Sequence, residues 1–287
     1  MSAITLVTTC KGRLAHLRDS LPRMAAQADA EVVVVDYGCP EQAGDWAQQH
    51  FPQVRVVRVE GAQGFSAARA RNAGAAAAQT PWLAFVDADI VLAPQFAQEV
   101  LPTLVPGHFY RPVPLAPDAW GTCIVAREDF AAIGGYDEVL RSWGGDDDDL
   151  YYRLARLRGC RQGSFPGTLL QPIAHSDAAR VAWSEDGAAR WVSQRANALY
   201  LHVKYDLMRT LGQAELSSEL RTRMYDEVRR TVTEDAAKGA ATTRIDITLP
   251  TEPQVPLWGW RLTRTWRFQL DRIEGAPESP FAGQETP

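Results

Sequence analysis

Four short runs rich in β-branched, aliphatic or aromatic residues punctuate the first part of the chain: Ile4 to Thr9, Glu31 to Asp36, Val54 to Val59 and Trp82 to Val86. Between the first two, Leu14, Leu17, Leu21 and Met24 recur with helical spacing. Trp46 to Phe51 reads as the end of a second helix, and the alanine-rich Phe65 to Ala78 as a third that stops before Pro81. Strands alternating with helices bury both faces of a mostly parallel sheet, which predicts an α/β fold. In such sheets ligands bind beyond the carboxyl ends of the strands. Thr8 and Thr9 fall there after the first strand, Asp36 after the second, and Asp87 and Asp89 after the fourth.

Past Pro94 a further helix is expected. Pro102, Pro106, Pro112, Pro114 and Pro117 then predict a loop-rich connection, followed by a strand at Gly121 to Ala126 and a short helix at Glu128 to Ile133. From Ser184 to about Lys238 helix formers dominate, and Trp258, Leu262, Trp266 and Leu270 form an i, i+4 stripe interleaved with Arg261, Arg264 and Arg267. The expected organisation is a catalytic domain over 1–180, a mainly helical region over 181–274 and a disordered Pro, Gly and Glu-rich tail over 275–287. The stripe predicts an amphipathic helix packed on the catalytic domain, with docking on a membrane or carrier as the alternative reading.

A balance of 30 Lys and Arg against 35 Asp and Glu gives a net charge of −5, which argues against a nucleic-acid partner. The cysteines, Cys10, Cys39, Cys123 and Cys160, form no Cys-x-x-Cys pair, so neither a zinc ribbon nor a disulfide framework is indicated. Apolar runs such as Val32 to Val35 are too short to span a bilayer, and the start has no secretory pattern. The expectation is a soluble, cytoplasmic protein without a transmembrane segment.

Chemistry concentrates in acids. Trp143-Gly144-Gly145-Asp146-Asp147-Asp148-Asp149-Leu150 places four adjacent carboxylates after a flexible glycine pair, at the start of a helix that continues through Arg153 and Leu154. Such crowding raises pKa values and is kept where a cation, a proton transfer or a helix N-terminus compensates. One reading is a solvated helix start, the other a working site. In an extended chain the carboxylates of Asp87 and Asp89 would lie on one side and share a divalent cation, while a polar turn is the alternative. His175, after an expected strand, reads either as a structural histidine or as a further metal ligand.

Taken in order, Thr8-Thr9, Asp36, Ala68 to Gly74, Phe85-Val86-Asp87-Ala88-Asp89, Ile133-Gly134-Gly135-Tyr136-Asp137-Glu138 and Trp143 to Asp149 resemble nucleotide-sugar glycosyltransferases of the GT-A fold. The later half looks most like the β-1,4-galactosyltransferase and chondroitin-polymerase type. The likeness covers residues 3–180 and implies a Rossmann-like sheet flanked by helices. It further implies that Asp87 faces the ribose or metal, that Asp89 and His175 bind the metal, and that Thr8, Thr9, Arg13, Asp36 and Arg71 line the nucleotide and diphosphate. Asp146, Trp143 and Gly145 take the acceptor and sugar positions, and Asp147 that of the catalytic base. Two departures stand out: Asp146 replaces the family's usual Glu and is shorter by about one methylene, and Lys11-Gly12-Arg13 stands where the animal enzymes are Arg-rich. The membrane anchor of the Golgi enzymes has no counterpart, which points to a bacterial type.

The expected reaction is metal-dependent inverting transfer of a hexose or N-acetylhexosamine from a UDP-sugar to a hydroxyl of a glycan, lipid-carrier or peptide acceptor. A mixed carboxylate and imidazole shell favours Mn2+, with Mg2+ as the alternative. Two other readings stay open: a retaining GT-A transferase, and a binding module for sugar nucleotides or divalent cations without turnover.

Overall fold

A computed structural model of the chain describes residues 2–61, 64–115, 119–174, 183, 190–250 and 256–274. Contacts divide the chain into two compact units, one of residues 1–142 with 146–187 and one of residues 143–145 with 188–287.

The first unit runs β1 (Ile4–Cys10), α1 (Leu14–Ala25), β2 (Ala30–Asp36), α2 (Ala43–His50), β3 (Arg55–Arg58), α3 (Ala67–Ala77), β4 (Trp82–Phe85), β5 (Ile90–Leu92) and α4 (Phe96–Val100). It continues with β6 (His108–Val113), β7 (Cys123–Ala126), α5 (Arg127–Ala132), α6 (Asp146–Arg156), β8 (Arg161–Pro166) and β9 (Leu170–Pro172). Seven strands form one sheet in the order β3-β2-β1-β4-β7-β6-β8. β3, β2, β1 and β4 are parallel, and β7 runs against both of its neighbours, β4 and β6. That reversal carries the start of β7 to the carboxyl end of β4, with Cys123 beside Phe85. β5 and β9 make a separate antiparallel pair.

Alternation along the strands builds a core on each face of the sheet. Ile4, Leu6, Val32 and Val34 pack with Leu14, Leu17, Leu21 and Met24 of α1. Val7, Val33, Val35 and Phe85 pack with Ala68 and Ala70 of α3 and with Leu150 and Leu154 of α6. Truncating the fully buried Leu17 to Ala is expected to cost about 2–5 kcal/mol. The small residues of α3 let it approach closely: a Cβ on Gly74 would lie 2.3 Å from Val7 Cγ1. Ser66 caps this helix, its Oγ accepting from the Arg69 amide at 3.3 Å.

β5, β6 and β8 were not expected from the sequence. The proline-rich stretch expected to be a loop contains β6, which pairs with β8 along its whole length, Pro112 beside Phe165, and with β7 only at Phe109 and Tyr110, so Pro112, which has no N–H to donate, lies beyond the β7 ladder.

In the second unit, α7 (Arg190–Leu211) and α8 (Ser218–Ala237) pack together, with the perpendicular rings of Tyr200 and Tyr225 5.3 Å apart and Val203, Leu207, Met224 and Val228 buried. The expected amphipathic helix around 258–270 is absent among the described residues. A hairpin stands there instead, β10 (Thr242–Pro250) antiparallel to β11 (Thr263–Asp271), with Ile245 and Ile247 buried. A four-residue spacing is even, so Leu262, Trp266 and Leu270 share one face of a strand as readily as one stripe of a helix, and Thr263 and Thr265 favour the strand. The tail expected to be disordered, 275–287, lies outside the described residues. Among those residues no helix is long and apolar enough to cross a membrane.

Candidate active site

β4 ends at Phe85, and the chain turns so that the Ile90 amide donates to the Asp87 carbonyl at 3.0 Å. Asp87 and Asp89 therefore sit on a tight turn rather than on extended chain, and each meets its own guanidinium. Asp87 Oδ1 accepts from Arg71 Nη2 at 2.8 Å, and Asp89 Oδ2 from Arg13 Nη1 at 3.1 Å. Between them Ala88 is buried, its carbonyl held by Ser20 Oγ at 2.7 Å. The geometric premise of a shared side gives way to this turn because strand pairing stops at Phe85 and nothing holds the next residues extended.

Arg71 is the hub. It projects from α3, is 5% exposed, and besides Asp87 its Nη1 donates to Asp147 Oδ1 at 2.8 Å and to Asp146 Oδ2 at 3.1 Å. Burial works against its charge, but Asp147, Tyr136, Asp87 and Asp146 outweigh that and hold it protonated far above neutrality. The Tyr136 ring lies 5.2 Å from the guanidinium, and its hydroxyl donates to Asp147 Oδ1 at 3.4 Å. Asn72, next to Arg71, fixes this ring: its Nδ2 donates to the Tyr136 carbonyl at 3.0 Å and its Oδ1 accepts the Tyr136 amide at 2.8 Å.

Asp146 and Asp147 open α6, where the helix dipole favours carboxylates. Burial nevertheless pushes the Asp147 carboxyl up to about 7, with Arg71 pulling it down and Asp146 and Asp87 adding to the rise. Burial raises Asp146 as well. The other two acids of the run are used structurally. Asp149, fully buried, accepts from Arg153 Nε at 2.7 Å one turn on, and Asp148 Oδ1 accepts from Trp120 Nε1 at 3.2 Å.

Gly121, just before β7, makes room for the cluster. A Cβ there would lie 2.5 Å from Arg71 Nη2, 3.1 Å from Asp147 Oδ2 and 3.2 Å from Asp87 Oδ2. Gly121, Tyr136 and Asn72 were not recognisable as site residues by type. Tyr136 and Asn72 lie inside the motifs that stand out in the sequence, whereas the only sign of Gly121 is its place at the start of an expected strand.

The remaining candidates are placed as follows. Thr8 is fully buried beside Val34, and its Oγ1 has no hydrogen-bond partner among the described residues; Thr9 is half-buried. The Asp36 carboxylate is engaged by backbone, Oδ1 accepting from the Cys39 amide at 2.7 Å and Oδ2 from the Gly44 amide at 2.8 Å. It orders the loop into α2. His175 lies outside the described residues. Trp143 and Gly145 belong to the second unit, where Arg190 lies 3.8 Å over the Trp143 ring and Asn197 Nδ2 donates to the Gly144 carbonyl at 2.6 Å. Asn197 Oδ1 in turn accepts from the Tyr225 hydroxyl at 2.8 Å.

A half-buried carboxyl poised near neutrality, beside an acid on the turn after a central strand, suits proton abstraction. Comparison with known proteins decides the fold. Residues 5–109 match the profile of Glycosyl transferase family 2, and residues 115–172 that of the N-terminal domain of galactosyltransferase. The chain has the fold of the GT-A glycosyltransferases.

Among curated relatives, the validoxylamine A glucosyltransferase of Streptomyces hygroscopicus subsp. jinggangensis is 27% identical over 214 residues, covering 53% of this chain and 51% of that protein. The chain thus spans about half the length of the curated relatives it matches. A mannosyltransferase from Pyrobaculum calidifontis, solved with GDP-Man and Mn2+, superposes with a TM-score of 0.53 at 16% identity, covering 83% of this chain and 76% of that one. GalNAc-T7, solved with UDP, GalNAc and Mn2+, gives a TM-score of 0.56 at 16% identity over 85% of this chain and 62% of that one. At such identities the likeness is one of GT-A fold.

Proposed function

We propose that this chain is a metal-dependent inverting glycosyltransferase that moves a hexose or N-acetylhexosamine from a UDP-sugar to an acceptor hydroxyl. The observation that carries the reading is Asp147, half-buried at a helix start, raised to about 7 and hydrogen-bonded to Arg71 beside the acidic turn after β4. A base is most effective with a pKa near the working pH, and such a group contributes about 10²–10⁴-fold.

In the proposed step the acceptor oxygen attacks the anomeric carbon from the face opposite the diphosphate. Its proton passes to an Asp147 oxygen as the new C–O bond forms, and the bond to the phosphate oxygen breaks with UDP leaving. Arg71 tunes the base: it keeps Asp147 ionisable despite burial and ties its position to Asp87. Asp146 and the adjoining Gly145 and Trp143 carry the acceptor and sugar contacts that the resemblance implies. Thr8, whose buried hydroxyl is without a partner among the described residues, fits a nucleotide contact, with Thr9, Arg13 and Asp36 around the same strand ends.

The described donors suit a hard cation. Three carboxylates converge on one guanidinium at Arg71, an excess of negative charge that a divalent ion beside Asp87 and Asp89 would relieve. No cluster of three His, Cys, Asp or Glu ligands occurs among the described residues, which fits an ion completed by phosphate oxygens and water, with His175 as the further ligand. When bound, Mn2+, or Mg2+ in its place, would neutralise the charge developing on the departing diphosphate.

A panel of UDP-sugars with glycan, lipid-carrier and peptide acceptors, read by UDP release with and without Mn2+, tests the reading, and NMR of the product anomer tests inversion. Release that needs Mn2+ and a product of opposite anomeric configuration are the expected results. Failure to release UDP from any donor leaves a binding module, and a retained configuration removes the base role of Asp147.

A further inference from the structure

Outside the acidic site, the three most exposed large apolar side chains among the described residues lie on the hairpin of the second unit. Trp258 is 88% and Trp260 83% exposed, with Ile273 at 76% and Leu257, Leu262 and Leu270 each near 40%. The two indoles flank Gly259 in a turn closed by the Trp260 amide donating to the Leu257 carbonyl at 2.7 Å. Isolated exposed apolar residues are ordinary, but several large ones on one short segment mark an interaction surface.

Charge selects the occupant. Residues 256–273 contain Arg261, Arg264, Arg267 and Arg272 against one acid, Asp271, in a chain whose net charge is −5. Arg267 is tied to Asp246 by bonds of 2.7 and 2.8 Å, whereas Arg261 and Arg264 stand exposed, Arg264 lying 5.8 Å over the Trp266 ring. A second copy meeting this face symmetrically would set these arginines against their own counterparts. An anionic lipid surface is complementary: indoles settle at the headgroup level, arginines pair with phosphates, and the acidic remainder of the chain is repelled.

We propose that the segment 256–273 docks the protein on anionic membrane surfaces, with Trp258 and Trp260 entering the interface and Arg261 and Arg264 engaging lipid phosphates. This assignment stands on the hairpin alone and does not depend on the transferase reading.

Co-sedimentation of the full chain with vesicles of phosphatidylcholine, alone and mixed with phosphatidylglycerol, tests it. The chain is expected to sediment with the mixed vesicles and to stay in solution with phosphatidylcholine alone. Trp258→Ser with Trp260→Ser is expected to lower partitioning at least about tenfold. Arg261→Gln with Arg264→Gln is expected to lower it about thirtyfold, roughly fivefold per arginine. All four side chains are exposed, so circular dichroism and the thermal unfolding midpoint are expected to be unchanged in both variants. Sedimentation that ignores both pairs of substitutions, or no sedimentation with mixed vesicles, overturns the proposal. So does a dimer in solution that the tryptophan variant dissolves, or binding of a soluble acceptor glycan that the same variant abolishes.

Discussion

Arg71 Nη1 lies 2.8 Å from Asp147 Oδ1, and this contact joins the third helix to the start of the acidic one across 76 positions of sequence. Because the same guanidinium also holds Asp87 and Asp146, the base, the turn after β4 and the neighbouring acid are fixed as one unit. Removing the cation by Arg71→Met leaves three carboxylates crowded and uncompensated. The variant is expected to lose about 3–5 kcal/mol of stability near neutral pH. The loss shrinks in acid as the carboxyls protonate, so urea denaturation of wild type and variant at mildly acidic and mildly alkaline pH checks the account.

Titration of the same pair governs both rate and stability. Burial raises the folded-state pKa of Asp147 from 3.8 to about 7, so folding favours its protonated form. The stability this gives is fully present below about 3.8 and is lost as pH rises through about 7. Activity moves the other way, since the base must be ionised: the acid limb of kcat/KM is expected to be centred near 7 and to belong to the Asp146–Asp147 pair. A pH profile of kcat/KM, with the stability difference between wild type and Asp147→Asn over the same range, measures both limbs.

Gly121→Ala places a methyl 2.5 Å from Arg71 Nη2, against a guanidinium that three acids hold in place. The cluster has to shift by several tenths of an ångström or more, and displacement on this scale at a reacting centre costs up to about 10²-fold in rate. Steady-state kinetics are expected to show the fall mainly in kcat. A kcat like that of wild type contradicts the placement of Gly121.

Asn72→Ala removes the two bonds that hold Tyr136 beside Arg71 and leaves the Tyr136 amide without its acceptor. The expected loss is about 1–3 kcal/mol of stability. Because Tyr136 also donates to Asp147, the acid limb of the pH profile is expected to move with it.

Much of the first unit was legible in the sequence because buried parallel strands read as continuous apolar runs, as Val32 to Val35 do, and because each is followed by a helix of clear spacing. β6 was hidden by prolines that tolerate an incomplete ladder, and the hairpin by a four-residue spacing shared by helices and strands. The acids of the site were visible as residue types after a strand, at Asp87, and at a helix start, at Asp146 and Asp147. Their common partner was not, since the contacts of Arg71 with Asp146 and Asp147 depend on how distant elements pack. The small groups that make the cluster fit, Gly121 and Asn72, leave no chemical signature of their own.

The central claim is that Asp147 removes the acceptor proton, and Asp147→Asn tests it most directly. The substitution keeps the shape of the side chain and one oxygen for Arg71 but abolishes its basicity. Transfer from the UDP-sugar that the panel identifies is expected to fall about 10²–10⁴-fold, while UDP binding by calorimetry stays within a few-fold of wild type. Transfer at a near wild-type rate in a variant that still binds UDP would contradict the account.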